Sequence, residues 1–483
     1  MKSKIITIIF LFESLFLYSQ NQIGITIFGE AMEDRSGSSV SLSSDGSIVA
    51  IGSPHSTNIN GTRAGQVKIY KDLNGVWTQI GDNIIGDNEF DTFGASIDLS
   101  SDGTVIAIGA PYQDSNSSSH GYVKIFKNIN DNWVQIGSNI QGENSGDTFG
   151  YSLALSSNGS IIAIGAPNND VLGNQTGHVK VYENNGGVWN QVGSDIEGEN
   201  EFNFFGGSVK LSSNGNTLAI GAINGAGASN SGGHVKVFSF NGISWTQLGD
   251  NINGGNELTY DFGYSLSLSS SGSILAISDP FSPNNKGTVR VYEYISNNWS
   301  QMGSDIIGDD HDFFGSSVSI SSDGSIIAIG STGGVSDLGH GRIYKFIQGE
   351  WTQIGANIDS DNNNNGYGNS LSLSSDGNII AVGANFAHNL PDLYVGYTKI
   401  YNLNQTLNIE NNNYDDLISI YPNPVDDIIN ISKLDFNSEF EIYTILGKKI
   451  LNGKLTKKID VKNLKSGIYL LKINQTIKRF IKK

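Results

Sequence analysis

Residues 149–167 read FGYSLALSSNGSIIAIGAP, and this stretch decides the fold. Its first seven residues alternate as a half-buried β-strand does. The Asn158-Gly159 pair predicts a type I′ hairpin turn, in which both central residues have positive φ. Residues 161–166 are continuously apolar, which is typical of a strand that is covered on both faces of its sheet. The stretch therefore predicts two antiparallel strands joined by a tight turn.

The residues that follow predict two further strands. Residues 178–182 alternate again, and Asn185-Gly186-Gly187 is a turn sequence. Residues 189–196 then form a fourth extended segment that begins with a tryptophan. Four antiparallel strands in about 50 residues are typical of one blade of a β-propeller.

The same unit occurs seven times along the chain. The Ser-Ser-x-Gly turn recurs with its glycine at positions Gly46, Gly103, Gly159, Gly215, Gly272, Gly324 and Gly377. The six tryptophans share the period and are expected to pack between blades: Trp77, Trp133, Trp189, Trp245, Trp299 and Trp351. We therefore predict an all-β, seven-bladed β-propeller over residues 20–403. A β-solenoid is the structural alternative, although its coils are usually shorter than this period.

The two ends of the repeat region indicate how the ring closes. The seventh unit has three strands but lacks the fourth, tryptophan-bearing one. The missing pattern lies near the N-terminus, where Gln22-Ile23-Gly24 matches Gln79-Ile80-Gly81 and Gln20 occupies the tryptophan position. We expect this N-terminal strand to complete the last blade, which leaves no unpaired sheet edge there.

The repeats resemble a known family. Phe93-Gly94-Ala95-Ser96 followed by Ile108-Gly109-Ala110-Pro111 is similar to an FG-GAP repeat, and the likeness covers about residues 22–402. This resemblance implies blades of the integrin-α type, which also occur in bacterial surface proteins. Many FG-GAP blades carry an Asp-x-Asp-x-Asp-Gly calcium loop. Here the corresponding turn is only Ser-Ser-Asp-Gly, too short to supply six oxygen ligands, so no metal ligand is carried over.

Composition and charge exclude several classes of function. The chain has 483 residues, no cysteine and a net charge of −18, so disulfides, thiolate metal sites and cysteine nucleophiles are excluded. Residues 415–483 hold 13 Lys/Arg and 8 Asp/Glu, a balance of +5, which leaves −23 for the rest of the chain. Such an acidic body does not suit nucleic acid, and no nucleic-acid partner is expected.

The first residues have the pattern of an export signal. Lys2 and Lys4 precede an apolar stretch over residues 5–17, and Ser19 is a small residue suited to cleavage. We expect residues 1–19 to be a signal peptide. No segment has the length and apolarity of a transmembrane helix, so none is expected.

The C-terminal part is predicted to be a separate small domain. Residues 404–416 are an Asn-rich linker, and residues 417–483 contain short alternating strands that predict a small β-sandwich. This segment resembles the type A C-terminal sorting domain of type IX secretion through Tyr421, Pro422, Asn423, Pro424, Gly447, Gly467, Tyr469, Lys482 and Lys483. The resemblance implies the type IX secretion machinery as a partner and a protein that is secreted or attached to the outer cell surface. An adhesive sandwich domain is the alternative.

We expect function on one rim of the propeller. The blade-to-blade connections and the long second-to-third strand loops share a rim, and variable loops on a rigid scaffold are where binding usually occurs. The ligand-face candidates are acids of these connections: Asp87, Glu89, Asp91, Glu143, Asp147, Glu199, Glu201, Asp309 and Asp312. Solvated turns that only keep the protein soluble are the alternative reading of these acids.

The predicted activity is binding or adhesion to a surface glycan or protein. No catalytic residue and no cofactor is expected, and calcium binding by the acidic connections stays open. The histidines His120, His178, His234 and His340 occupy one repeat position, which favours a structural role. The alternatives are a polysaccharide hydrolase or lyase on a propeller scaffold, and a structural surface-layer protein.

Overall fold

The computed structural model describes residues 19–112, 120–223, 232–255, 261–333, 338–361, 366–390, 393–405, 419–432, 439–444, 448–454, 457–473 and 476–483. The predicted signal peptide, except Ser19, and most of the predicted linker lie outside these residues. The chain divides into two compact units, Met1–Gln405 and Thr406–Lys483.

The first unit consists of seven antiparallel sheets, which we call blades 1 to 7 in chain order. The first strands are Ser39–Leu42, Ser96–Leu99, Ser152–Leu155, Phe205–Leu211, Leu266–Leu268, Phe314–Ile320 and Tyr367–Leu373. The second strands are Ile48–Ser53, Val105–Ala110, Ile161–Ala166, Thr217–Ala222, Ile274–Asp279, Ile326–Ser331 and Ile379–Ala384. The third strands are Gln66–Asp72, Tyr122–Ile129, His178–Asn185, His234–Phe240, Thr288–Ile295, His340–Ile347 and Tyr397–Gln405.

Each fourth strand is interrupted, and both of its parts pair with the third strand. In blades 1 to 6 the outer parts are Trp77–Gln79, Asn132–Gln135, Val188–Gln191, Trp245–Gln247, Asn298–Gln301 and Glu350–Gln353. The parts that follow them are Ile84–Ile85, Ile140–Gln141, Ile196–Glu197, Ile252–Asn253, Ile306–Ile307 and Ile358–Asp359. A short 3₁₀ helix, Pro283–Asn285, and a two-stranded ribbon of His388–Leu390 and Leu393–Tyr394 complete this unit.

The fourth strand of blade 7 comes from the N-terminus, as the sequence predicts. Ser19–Gln22 and Ile27–Phe28 both pair antiparallel with Tyr397–Gln405. The Ile23 N–H donates to the carbonyl of Ile400 at 2.7 Å and continues the pairing between the two short strands. The prediction of a seven-bladed propeller closed by its N-terminal strand is confirmed.

A ring of backbone hydrogen bonds joins all seven first-to-second strand turns. The second serine of each turn donates its N–H to the carbonyl of the serine in the next blade, and the last, Ser375, donates to the first, Ser44, at 2.8 Å. The intermediate members are Ser101, Ser157, Ser213, Ser270 and Ser322, with donor–acceptor distances of 2.8 to 3.0 Å. A linear stack of sheets could not make the bond from Ser375 to Ser44, so the ring is closed.

The tryptophans connect neighbouring blades, as expected from their period. Each indole N–H donates to a backbone carbonyl in the fourth strand of the preceding blade, at 2.8 to 3.1 Å. Trp77 uses the Ile23 carbonyl of the N-terminal strand. At the remaining junction Gln20 takes the tryptophan position and donates to the Ala356 carbonyl through its side-chain amide. The indole packs a large apolar surface and satisfies its N–H at once.

The Phe-Gly and Ile-Gly motifs are explained by close backbone approach between blades. Phe149 is fully buried, and Gly150 has φ +91°, which a residue with a side chain rarely adopts. A Cβ on Gly109 would lie 2.3 Å from the Gly150 carbonyl oxygen of the next blade. Only glycine at both positions lets the second strand of one blade meet the start of the next.

The turn between the first two strands differs from the predicted type I′ hairpin. Of the Asn158-Gly159 pair only the glycine has positive φ, at +69°, and its N–H donates to the Ser156 carbonyl at 2.8 Å. The side chain of Ser156 accepts from the Ile161 N–H and contacts the Asn158 amide oxygen. The turn prediction was wrong because these serine contacts favour ordinary negative φ at Asn158.

The second unit contains two antiparallel sheets around one core. One sheet has the strands Ser419–Tyr421, Ile428–Ser432 and Lys458–Asp460. The other has Glu439–Thr444, Lys449–Lys454, Gly467–Ile473 and Thr476–Lys482. Ile429, Ile442, Leu471 and Phe480 are fully buried between them. The predicted β-sandwich is confirmed.

Deleting residues 19–28 tests the ring closure. The deletion exposes the edge of Tyr397–Gln405, removes the buried Ile27 and takes the hydrogen-bond acceptor from Trp77. We expect the melting temperature of the propeller to fall by roughly 10 °C, because several kcal/mol of pairing and burial are lost. Differential scanning calorimetry measures the change. Deletion of residues 419–483, which belong to the other unit, is the control. Equal melting curves for intact chain and N-terminal deletion would contradict the closure.

Candidate functional site

The long loops and the blade-to-blade connections meet on one rim of the propeller. The Phe90 N–H in the connection after blade 1 donates to the Thr62 carbonyl in the second-to-third strand loop at 2.9 Å. Asn60 of the same loop donates its side-chain amide to the Gly86 carbonyl at 2.7 Å. These contacts tie the connection after blade 1 to the loop beside it, and the N–H groups of Phe202 and Phe313 make similar contacts in two other connections, so the acids of these connections lie on the same side as the loops.

The first acid of most connections forms an ion pair with the third strand of the next blade. The cationic side chains are only 5–10% exposed, whereas the carboxylates are 44–81% exposed. The pairs are Lys68 with Glu30, Lys124 with Asp87, Lys180 with Glu143, Lys236 with Glu199, Arg342 with Asp309 and Lys399 with Asp361. A buried ammonium needs such a partner, so these carboxylates hold adjacent blades together.

In several connections an acid three or four residues after the first one is buried and organises the connection itself. Asp91 accepts from the backbone N–H groups of Asp87 and Asn88 and from the Tyr122 hydroxyl. Burial raises the pKa of Asp91, although these donors oppose the rise. Asp147 accepts from the side-chain amide of Asn169 at 2.8 Å. These acids therefore stabilise the local conformation of the connections by accepting hydrogen bonds from neighbouring N–H groups.

Asp312 is another buried acid of this kind. It accepts from the Ser331 hydroxyl, and its Oδ2 lies 3.3 Å from His340 Nε2 and 3.5 Å from Arg342. Burial would raise the pKa of Asp312, but the contacts with His340 and Ser331 lower it. Of the nine predicted ligand-face acids, Glu89 and Glu201 are exposed and stand in no ion pair given by the described residues.

This arrangement does not fit a calcium site. A calcium ion takes six or more oxygen ligands, usually several carboxylates that converge on one point. Here Asp87, Glu143 and Glu199 lie in different connections, each against its own lysine ammonium. In the described residues, the predicted acids contact groups of their own blade junction, and Glu89 and Glu201 stand in no ion pair, so acids of different connections do not converge on one point.

The first strands of the blades surround a central cavity of about 390 Å³. Its wall alternates small polar and aliphatic side chains, among them Ser39, Val40, Ser152 and Leu153. Two residues after the serine that lines the cavity (Ser39 in blade 1), the first strand has serine or alanine in five blades. The same position is Asp98 in blade 2 and Lys210 in blade 4. Burial raises the pKa of Asp98, and Lys210 opposes the rise.

Exposed aromatic side chains cluster where this cavity opens. Tyr112, Tyr151 and Tyr264 line the cavity and are 49%, 42% and 40% exposed. Phe281, also 40% exposed, meets Tyr264 edge to face with ring centroids 5.8 Å apart. We call these four residues the aromatic mouth. Desolvation of its hydroxyl within this group, together with the nearby hydroxyls of Tyr264 and Tyr112, raises the pKa of Tyr151 to about 12.

A second cavity of about 290 Å³ adjoins the aromatic mouth. Tyr112, Tyr151 and Ile223 line both cavities. Its polar groups are Thr148, Asn168 and Asp261, and burial raises the pKa of the Asp261 carboxyl. Apolar walls with a few converging polar groups are typical of a ligand site.

Sequence reasoning missed the aromatic mouth. The sequence feature that could have revealed it is the residue that follows the Phe-Gly pair, because this residue is unusually large in two of the repeats. Tyr151 and Tyr264 occupy this position in two blades, whereas the others carry Ser38, Ala95, Gly207, Ser316 and Asn369. A large exposed ring at a position that small residues otherwise fill has no packing reason in the blade.

Blade 5 departs from the pattern of ion pairs. Gly255 stands where the other connections have an acid, and Arg290 instead donates to the Gly254 carbonyl and to Asp305. A cavity of about 300 Å³ lies beside Arg290 and is also lined by Asp279. Asp279 is 3% exposed, and its Oδ1 has no hydrogen-bond partner. Burial raises the pKa of Asp279 to about 6, and Asp261 adds to the rise.

Asp279→Asn should stabilise the protein only at neutral pH. The folded-state pKa of about 6 lies above the ordinary aspartate value of 3.8, so ionising this buried carboxyl costs stability as the pH rises through this window. We expect a gain of up to about 3 kcal/mol at pH 7.5 and almost none at pH 4. Urea unfolding at the two pH values measures it. A loss of stability at pH 7.5 would contradict the assignment.

The motif residues of the second unit meet at its last strand. Asn423 accepts from the Ile481 N–H at 2.9 Å and donates to the Arg479 carbonyl at 3.1 Å. The exposed segment of Tyr421, Pro422, Asn423 and Pro424 is thereby fixed to the C-terminal strand.

The other motif residues lie on the last two strands. Tyr469 stacks on Phe480 with centroids 5.6 Å apart and donates its hydroxyl to the Lys465 carbonyl. Gly467 pairs with Lys482, and the Lys483 N–H donates to the Val425 carbonyl at 3.0 Å. Gly447 lies outside the described residues.

Comparison with protein families identifies this second unit. The family described as "Secretion system C-terminal sorting domain" matches residues 419–483. The domain engages the type IX secretion machinery, and the protein is secreted or attached to the outer cell surface. No FG-GAP family match covers the repeats. No curated protein matches the chain. In the described residues, no helix has the length and apolarity needed to span a membrane.

The solved structures that resemble this chain share little sequence with it. A provisionally assigned 6-phosphogluconolactonase from Bacteroides uniformis is 13% identical with a TM-score of 0.47, covering 67% of this chain and 86% of its own. Hydrazine synthase from Kuenenia stuttgartiensis is 11% identical with a TM-score of 0.49, and the coverage is 74% and 94%. U3-55K is 11% identical with a TM-score of 0.48, and the coverage is 78% and 97%. These values are too low to transfer an activity.

Proposed function

We propose that this is a surface-displayed binding protein that holds a glycan at the aromatic mouth without turning it over. The single observation that carries the proposal is the cluster of exposed Tyr112, Tyr151 and Tyr264 at the opening of the central cavity. Aromatic faces present a large, rigid apolar surface at low entropic cost, which suits the apolar face of a sugar ring. Export through the sorting domain brings this surface into contact with extracellular polysaccharide.

The neighbouring polar groups favour a carbohydrate over an apolar ligand. Thr148, Asn168 and Asp261 line the cavity beside Tyr151 and can exchange hydrogen bonds with sugar hydroxyls. Their number is small and the rest of the wall is apolar, so they would orient a ligand while the rings supply most of the contact area. The FG-GAP resemblance of the repeats is consistent with such a scaffold, and the ligand chemistry follows from these residues alone.

One observation favours a second candidate function, hydrolysis of a polysaccharide. Asp261 and Asp279 interact electrostatically, and burial raises the pKa of both carboxyls. A pair of carboxyl groups, one acting as the acid and the other as the base or nucleophile, is the machinery of glycoside hydrolysis. The two residues line different cavities, however, so the geometry supports binding better than turnover.

Single substitutions at the aromatic mouth test the proposal. On a glycan array, the intact protein should bind one group of polysaccharides, and Tyr151→Ala and Tyr264→Ala should each weaken that binding about tenfold, which is about 1.4 kcal/mol. Phe386→Ala is the matched control, since Phe386 is also 40% exposed but does not line the cavity.

The same preparations distinguish the alternatives. Release of reducing sugar that is lost in both Asp261→Asn and Asp279→Asn would establish the hydrolase. Equal glycan binding by Tyr151→Ala, Tyr264→Ala and the unmodified protein would refute the aromatic mouth as the site. Absence of any glycan binding would leave the structural surface-layer role as the better description.

A further inference from the structure

Among the described residues, blade 3 alone brings a histidine and two carboxylates together in a group that could hold a metal ion. His178 begins its third strand and is the direct cross-strand partner of Glu197 in the fourth strand. Asp195 lies two residues before Glu197. One donor atom from each of the three residues, an imidazole nitrogen and two carboxylate oxygens, lies within 4.8 Å of the other two.

Three polar atoms of His178 and Glu197 are buried without partners, whereas Asp195 accepts from the side-chain amide of Gln191 and lies near Lys180. His178 is only 1% exposed, and neither Nδ1 nor Nε2 makes a hydrogen bond. Glu197 Oε2 is buried and equally unpartnered. Buried polar atoms in proteins are almost always hydrogen-bonded or bound to a ligand. Three unpaired buried atoms beside one another therefore indicate a binding site.

The charged side chains around the group decide whether it would bind a cation or an anion. Lys180 contacts Glu143 and lies 3.2 Å from Asp195 Oδ2. The carboxylates of Asp147, Glu143, Asp195 and Glu197 outnumber the single ammonium of Lys180, so the surroundings of the group are net negative. A cation is therefore attracted to the site, whereas an anion would be repelled.

We propose that blade 3 binds a divalent transition-metal ion of the zinc class through His178, Asp195 and Glu197. An imidazole nitrogen with two carboxylate oxygens suits zinc better than calcium or magnesium, which prefer oxygen ligands only. Three protein ligands leave one tetrahedral position for water or a further carboxylate. The ion would fasten the fourth strand of blade 3 to its third strand, at a place distinct from the aromatic mouth.

Blade 4 provides a matched control within the same chain. His234 occupies the position of His178, but the positions of Asp195 and Glu197 are held by Asn251 and Asn253. The blades share the same backbone pairing, so they differ in the two carboxylates and not in the fold.

Zinc titration of the metal-free full chain tests the proposal. Isothermal titration calorimetry with elemental analysis should give one zinc ion per chain and a melting temperature that rises with zinc. His178→Gln and Glu197→Gln should each weaken binding at least tenfold, while His234→Gln leaves it unchanged. The double variant Asn251→Asp/Asn253→Glu should add a second zinc ion in blade 4.

Two results would overturn the assignment. One is the absence of zinc binding by the unmodified chain. The other is zinc binding that survives both His178→Gln and Glu197→Gln unchanged. Circular dichroism of each variant without metal shows that it is folded, and Glu197→Gln keeps the test valid if His178→Gln does not fold.

Discussion

The structure of the repeat region depends on one pairing, that of Ser19–Gln22 with Tyr397–Gln405. It joins the two ends of the region in one sheet and supplies Ile23 as the acceptor for Trp77 of blade 1. The ring of serine hydrogen bonds is closed by the bond between Ser375 and Ser44, which likewise requires blade 7 to lie beside blade 1. Because the ring is closed, every blade is covered on both faces, and no terminal blade exposes its apolar face.

A closed ring of similar units separates structural residues from functional ones. Side chains that recur at most junctions, such as the tryptophans and the lysine–carboxylate pairs, hold blades together. A ligand site needs an asymmetric group of side chains, and the asymmetric groups are departures from the repeat. Tyr151 and Tyr264 at the mouth, Asp279 in blade 5 and the combination of Asp195 and Glu197 beside His178 in blade 3 are such departures.

The sequence predicted the fold from local patterns that have one physical solution. The missing strand of the seventh unit and the match of Gln22 to Gln79 indicated the closure, because an unpaired edge is costly. The functional rim was harder to predict, because spacing places residues on a rim but does not show their partners. Asp87, Glu143 and Glu199 were interpreted as a ligand face, while the lysines that bind them lie about 37 residues further along the chain. The tail was recognisable because its motif is local and short.

Cross-linking across the closing strands tests the central claim most directly. Asn21 and Asn402 are directly paired, and opposed residues of antiparallel strands have Cα separations that a disulfide can bridge. The chain has no cysteine, so the double variant Asn21→Cys/Asn402→Cys can form only this bond within one molecule. We predict complete disulfide formation in mild oxidant and a melting temperature that falls on reduction. The pair Asn21→Cys/Asn190→Cys, which joins the N-terminus to blade 3, should remain reduced. Free thiols in the first variant under the same conditions would contradict the closed ring.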